Sequence, residues 1–203
     1  YKTYGYKSNK TGFIIGTDFE YYDDFFLGLG TSNFIEKIDT NSTASDQQQS
    51  QQGDYWDSFH KLDFTYDKRN QKFQTSSGFI SKYSMDMPII SDTNTLKNYI
   101  DHSYYFDLFE KNVSSLSFYF ESANSLNNKN VKLSERINLP ARKLRGFQLG
   151  RVGPKDGDDY IGGNFAYSLN FSSTIPQFFQ ESQNLDFLIF SDMAARWDWV
   201  CMS

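Results

Sequence analysis

The sequence predicts an all-β chain: an antiparallel transmembrane β-barrel, represented here by a partial barrel of about eight strands forming a curved open sheet. Three observations predict it. Apolar and polar residues alternate with a period of two along nearly the whole chain, and helical spacing is hard to find. Aromatic residues reach 18%, with 20 Phe and 14 Tyr, although the mean hydropathy is -0.62. So many rings in a polar chain suit an apolar outer band with aromatic girdles around a wet lumen. Finally, the connections switch between short and long, as inner turns and outer loops of a barrel do.

A soluble β-sandwich with an aromatic, sugar-binding face shares the first two features, since it also buries one face of each strand. Other classes fall away. The net charge is -5 and the cations are scattered, so no nucleic-acid surface is expected. Cys201 is the single cysteine, which rules out an internal disulfide and a thiol pair for metal. No run approaches the roughly 20 apolar residues of a membrane helix. The start, Tyr1-Lys2-Thr3-Tyr4, lacks a signal-peptide pattern, and the expectation is a fragment of a longer exported chain.

The alternation runs in order. Phe13, Ile15, Thr17, Phe19 and Tyr21 share a face against Gly16, Asp18 and Glu20, and Phe25, Leu27 and Leu29 alternate with Gly28 and Gly30. Leu62, Phe64 and Tyr66 oppose Lys61, Asp63 and Thr65; Phe79, Tyr83, Met85 and Met87 oppose Lys82, Ser84 and Asp86. Ile100, Tyr104, Phe106 and Leu108 stand against Asp101, Ser103 and Asp107, and Leu116, Phe118 and Phe120 against Ser115, Ser117 and Glu121. After a long interruption, Phe165, Tyr167, Leu169 and Phe171 oppose Asn164, Ser168 and Asn170. Leu185, Phe187 and Ile189 then oppose Asp186 and Asp192. In a barrel the apolar sets face lipid and the polar sets the lumen.

Short connections are expected at Tyr22-Asp23-Asp24 and Glu110-Lys111-Asn112. Long ones are expected at Asp39 to Tyr55, Ile90 to Leu96 and Ala123 to Ile161, and middling ones at Lys68 to Ser77 and Thr174 to Asn184. The stretch from Ser42 to Gly53 is polar and low in complexity, with nothing apolar larger than Ala44, and is expected to be mobile. Asn-x-Ser/Thr triplets at Asn9, Asn41, Asn112 and Asn170 fit chance in so Asn- and Ser-rich a chain. The acidic run Asp156-Gly157-Asp158-Asp159 is too short for the alternating ligand series of a calcium loop. His60 and His102 fall on the outward faces without a local partner. No catalytic triad, phosphate-cradling loop or acid/base pair stands out; neither a cofactor nor a metal is expected.

Between Leu139 and Ala194 the sequence becomes specific. Leu144-Arg145-Gly146-Phe147, then Gly150, Gly153-Pro154 and Gly162-Gly163-Asn164, resembles the barrel-domain signature of the BamA/Omp85 family. Phe190-Ser191-Asp192-Met193-Ala194 is similar to the family's aromatic-x-Asp-x-Gly/Ala strand motif. Tyr66 to Asn70 and Phe73 to Gly78 resemble one of its periplasmic turns. The resemblance implies that the chain covers central strands of a larger barrel, without the periplasmic POTRA repeats or the strands of the lateral seam. It also implies that the long loop, at about 123–161, folds back into the lumen. There Arg145 pairs with Asp192, Asn170 is a secondary contact, and Arg145, Gly146 and Phe147 dock the loop against the wall.

The residues support part of this on their own. An Arg between flexible loop positions can enter a narrow lumen, cannot deprotonate there and needs an anion. Asp192 has inward parity. The sequence departs from the family's pattern at three places. Leu139-Pro140-Ala141 stands where the family commonly has Gly-Gly, which predicts a stiffer loop entry. Asn170 stands where many members carry Glu, which leaves Arg145 one anionic partner. Arg196-Trp197-Asp198-Trp199-Val200-Cys201 departs from the expected strand pattern after Ala195.

The resemblance implies a non-enzymatic role in the outer membrane of a Gram-negative bacterium: a parent protein that folds and inserts other β-barrels without nucleotide. Its partners would be outer-membrane lipid, unfolded β-barrel clients and periplasmic lipoproteins that assemble on the POTRA region. A polypeptide-secreting pore of the same superfamily is the alternative.

Overall fold

The computed structural model describes residues 5–110, 112–175 and 187–198. The strands run in chain order as β1 (Tyr6–Tyr22), β2 (Phe25–Thr40), β3 (Gly53–Asp67), β4 (Gly78–Ser91), β5 (Thr95–Phe106) and β6 (Val113–Ser125). A two-residue hairpin, β7 (Lys155–Asp156) and β8 (Asp159–Tyr160), follows within the long loop. β9 (Phe165–Ile175) and β10 (Phe187–Trp197) are the last strands among the described residues. One antiparallel sheet of eight strands takes the order β1-β2-β3-β4-β5-β6-β9-β10, so each long strand pairs with its sequence neighbour and the loop is bridged by β6 against β9. β1 and β10 are its open margins. No helix among the described residues is long and apolar enough to cross a membrane.

The pleat sorts the side chains as the alternation predicts. On β9, Ala166, Ser168 and Asn170 are buried against the loop, whereas Leu169 faces outward and is exposed. On β6, Tyr119 and Ala123 are buried while Leu116 and Phe118 are exposed. A one-residue slip would exchange these faces, so the register is strongly specified. The outward surface carries two aromatic bands. Near the short turns, Phe25, Phe64 and Tyr83 form one cross-strand row at 6.0 and 6.2 Å, and Tyr66, Phe79 and His102 another at 5.5 and 5.9 Å. At the loop end, Trp197 stacks on Phe165 at 5.6 Å and meets Tyr167 edge-on at 5.8 Å. His102 is thus an outward girdle residue, hydrogen-bonded through Nδ1 to Ser81 Oγ at 2.7 Å.

Local irregularities have local causes. Pro88 has no N–H to give the ladder, and the β3–β4 register shifts where Ser58 pairs Ile90 but Phe59 pairs Pro88, leaving Ile89 as a bulge. The turn between β1 and β2 is only Asp23-Asp24. Asp24 takes a φ of 63°, which Asp tolerates, and its N–H donates to Glu20 Oε1 at 2.9 Å. Asn112 closes the β5–β6 turn: Leu108 N–H donates to its Oδ1 at 3.1 Å, and its Nδ2 donates to Ser173 Oγ at 2.9 Å.

Several expectations are corrected. The connection expected to be long at Ile90 to Leu96 is only Asp92-Thr93-Asn94, because β4 and β5 continue almost to it. β5 ends at Phe106, so Asp107 and Leu108 belong to the turn rather than the strand. The segment from Ser42 to Gly53 is not a mobile tether. Ser45 caps a short helix, α1 (Asp46–Gln49), in a capping box with Gln48, whose side chain is fully buried. Gln51 Oε1 accepts from the N–H of Leu133, and Asp156 accepts from the N–H of Gln47, so polar contacts rather than apolar ones hold the segment to the long loop. The strand pattern does not lapse after Ala195: Arg196 and Trp197 pair with Ala166 and Phe165. Leu185, Asp186 and Cys201 lie outside the described residues.

Candidate functional site

The loop between β6 and β9 lies against inward-facing residues of the sheet. Its Val131, Ile137 and Leu139 pack on Tyr119, Ala123 and Ala166 of β6 and β9, forming an apolar core. The loop therefore gains burial from the inward face of the sheet. Two 3-10 turns, Leu133–Glu135 and Ala141–Lys143, shape its path. Pro140 caps the second with φ -60°. An isolated bridge, Ile137 with Gly163, closes the loop's base.

Arg145 stands against Asp192 on β10. Its Nε donates to Oδ2 at 2.7 Å, its Nη2 to Oδ1 at 2.6 Å, and its backbone N–H to Oδ2 at 2.9 Å. This is the planar fork that a guanidinium offers and an ammonium does not. Nη2 also donates to Ser172 Oγ at 3.1 Å, and the guanidinium carbon sits 3.9 Å from the centre of the Phe190 ring. Asn170 serves as a connector rather than a counter-ion. Its Nδ2 donates both to Asp192 Oδ1 and to the carbonyl of Lys143, each at 2.9 Å. The Asp192 side chain is 3% exposed and that of Arg145 is 27% exposed. The hydrogen bonds to Asp192 raise the Arg145 pKa.

Gly146 turns the chain at φ 84°, and Phe147, 62% exposed, lines a small pocket with Leu139, Leu149, Val152 and Arg196 of β10. Leu144, next to Arg145, is buried. The later motif residues shape the loop's return. Gly153 has φ 107° and lies against Arg196, as does Gly163. Gly162 has φ 78°, and Gly150 has φ 77°. Pro154 accepts from the N–H of Ile161 through its carbonyl. The N–H of Asn164 reaches Asp198 Oδ1 at 2.8 Å.

Sequence reasoning missed three further anchors. Lys132, fully buried, lies 2.9 Å from Glu36 of β2 and is ion-paired with Asp57 of β3, with Glu135 at 3.9 Å and the Tyr55 ring 4.8 Å away. Burial alone would lower its pKa; Glu135 and the hydrogen bonds to Asp57 and Glu36 outweigh that and raise it. Lys143 pairs with Asp101 of β5 at 2.8 Å over the Tyr119 ring. Arg136 pairs with Asp198 just past β10 at 3.1 Å. Parity could have pointed to them: Glu36, Asp57 and Asp101 are inward carboxylates, each needing a cation, and the loop supplies one to each. Among the described residues, no group of three or more His, Cys, Asp or Glu side chains is placed to hold a metal ion, and Asp156 instead accepts from α1.

The Omp85 superfamily domain matches residues 1–201. A SAM50-like protein of Schizosaccharomyces pombe is 41% identical over 66 residues, which cover 31% of this chain and 14% of that protein. A crystal structure of BamA from Haemophilus ducreyi lacking POTRA domains 1-3 superposes with a TM-score of 0.81 at 21% identity, over 95% of this chain and 42% of that one. The chain thus spans less than half the length of either relative.

Proposed function

The chain belongs to the Omp85 superfamily, and from that premise we propose that it is part of an outer-membrane barrel whose full-length parent folds and inserts other β-barrel proteins. The observation that carries the reading is the family match along residues 1–201, supported by the barrel fold shared with BamA. The parent uses no nucleotide and no chemistry of its own: clients gain strand pairing and leave water for lipid, and the barrel lowers the barrier between those states. In this reading Arg145, held by Asp192 and steadied by Asn170, docks the loop and keeps the wall in shape. Gly150, Gly153, Pro154, Gly162, Gly163 and Asn164 return the chain to β9. Partner lipoproteins bind elsewhere in the parent.

The test is reconstitution. Liposomes carrying the full-length parent should speed the appearance of heat-modifiable, protease-resistant client barrels over protein-free liposomes. Translocation of a polypeptide into the vesicle interior without client insertion would replace this reading by a secretion pore.

A second reading concerns which outer membrane. The 41% identity to the fission yeast protein favours a mitochondrial outer membrane over a Gram-negative one. Fractionation of the source cells, with the parent tracked by antibody, decides between them.

A further inference from the structure

Beneath the loop, between residues 142–145 and the inward faces of β4, β5, β6 and β9, lies a cavity of about 390 Å³. Its walls carry five cations, Arg69, Lys82, Arg142, Lys143 and Arg145, and one carboxylate, Asp101. The cations are not equally committed. Arg69 is forked onto Asp67, Lys143 is paired with Asp101, and Arg145 with Asp192. Lys82 and Arg142 enter no ion pair among the described residues, although Lys82 has inward parity on β4 and Arg142 is exposed on the second 3-10 turn. Lys82 stands across from Asp101 in the β4–β5 register, but that carboxylate is already paired with Lys143, so the cations of the sheet and loop walls outnumber the carboxylate between them. Hydroxyl groups of Ser103 and Ser117, which bond each other at 2.8 Å, line its floor. Arg69 belongs to the β3–β4 turn, so the chamber's cationic rim lies toward the short-turn end of the barrel.

We propose that this chamber binds the carboxylates of an extended, acidic polypeptide segment entering from the short-turn side, with Lys82 and Arg142 as the recognising residues. The inference rests on the reading above for the kind of molecule that reaches the lumen. Elongated rather than compact anions fit, because Lys82 and Arg142 sit on separate walls and a chain can present a carboxylate to each. The hydroxyl groups between them suit the intervening amides. Charge-assisted hydrogen bonds favour such contacts, and their strength falls as salt rises.

The test uses the full-length parent in detergent and a fluorescein-labelled hexaglutamate peptide. Binding should saturate and weaken with salt. Lys82→Gln and Arg142→Gln should each weaken it roughly tenfold, as expected when one charge-assisted bond is lost. Lys7→Gln, on the outward face of β1, should leave it unchanged. Lys82→Arg and Arg142→Lys should retain most of it, which separates charge from fold. Heat-modifiable migration confirms that each variant is a folded barrel, and Arg142, an exposed loop residue, is the safer of the two. Absence of saturable binding, or binding that ignores both neutral variants, overturns the proposal. Equal displacement by inorganic phosphate at matched ionic strength overturns it as well, in favour of a small-anion site. If hexaglutamate binds as expected while the reconstituted parent inserts no client, the chamber stands and the assembly reading falls.

Discussion

Gly163 lies so close to Arg196 that a Cβ on it would stand 2.6 Å from Arg196 Cγ and 2.9 Å from the carbonyl oxygen of Trp197. The loop re-enters the sheet at this point, and Arg196 donates onward to the Asn138 side chain at 2.5 Å and the Ile137 carbonyl at 3.3 Å. Gly163→Ala should push β10 and the loop base apart at a cost of about 1–3 kcal/mol. A lower urea midpoint for the folded band of the parent checks this; an unchanged midpoint would mean that the base relaxes freely.

The Arg145–Asp192 pair should respond asymmetrically. Removing one partner of a buried pair typically costs about 3–5 kcal/mol, and an exposed pair contributes about 0–1 kcal/mol. Arg145→Ala leaves the nearly buried Asp192 with only Asn170 as a side-chain donor, so it should fall in the upper range. Asp192→Ala leaves an Arg145 that water already reaches, and should cost less. Asp192→Asn should be nearly as harmful as Asp192→Ala, and Arg145→Lys should rescue only in part. Client insertion by the parent, measured in a double-mutant cycle, tests the pairing; strictly additive losses would show that the loop docks otherwise.

Lys132 gives a pH prediction. Its folded pKa lies above the ordinary 10.5, so the stability it supplies is fully present below that value and is lost as pH rises through the raised one. Glu36, Asp57 and Glu135 face it, Lys10 lies 3.5 Å from Glu36, and the Tyr55 ring covers it. Protease cleavage of the long loop should therefore rise sharply only above about pH 10.5. Lys132→Met should make cleavage high and flat across pH. Tyr55→Phe should keep the wild-type profile; a flattened one would assign the transition to the phenol.

The α1 cap offers a smaller effect. Ser45→Ala removes the side-chain acceptor for the Gln48 N–H and should cost about 0.5–2 kcal/mol of local stability. Because Gln51 accepts from the N–H of Leu133 at 2.7 Å, the loss should appear as faster amide exchange around residues 131–135, with the strands unaffected. Unchanged exchange there would separate the two loops energetically.

Strand faces were legible in the sequence because parity is a local property: Leu169 outward and Asn170 inward need only their neighbours. Arg145 and Asp192 were legible through a motif. The Lys132 cluster was not, because it joins residues 75 positions apart through a loop with no periodicity to fix its path. Gln48 was misread for a related reason. A run of glutamines signals disorder by composition, yet here the buried amide closes a capping box, which depends on the Ser45 to Gln48 spacing and not on polarity. The continuation of β10 through Trp197 was hidden by Arg196. That residue looks misplaced in a strand until the loop supplies its acceptors.

The loop is fastened at Lys132 to β2 and β3 and at Arg145 to β10, so it subtends the arc of the sheet as a string subtends a bow. The stretch between the two fastenings, straightened at about 3.3–3.6 Å per residue, reaches at most roughly 45 Å. Within that length Lys143 is tied again, to Asp101 of β5, and Ile137 bridges Gly163 at the loop's base. A pull on either margin of the sheet is therefore shared among several spaced fastenings and does not fall on the buried Lys132 ammonium alone.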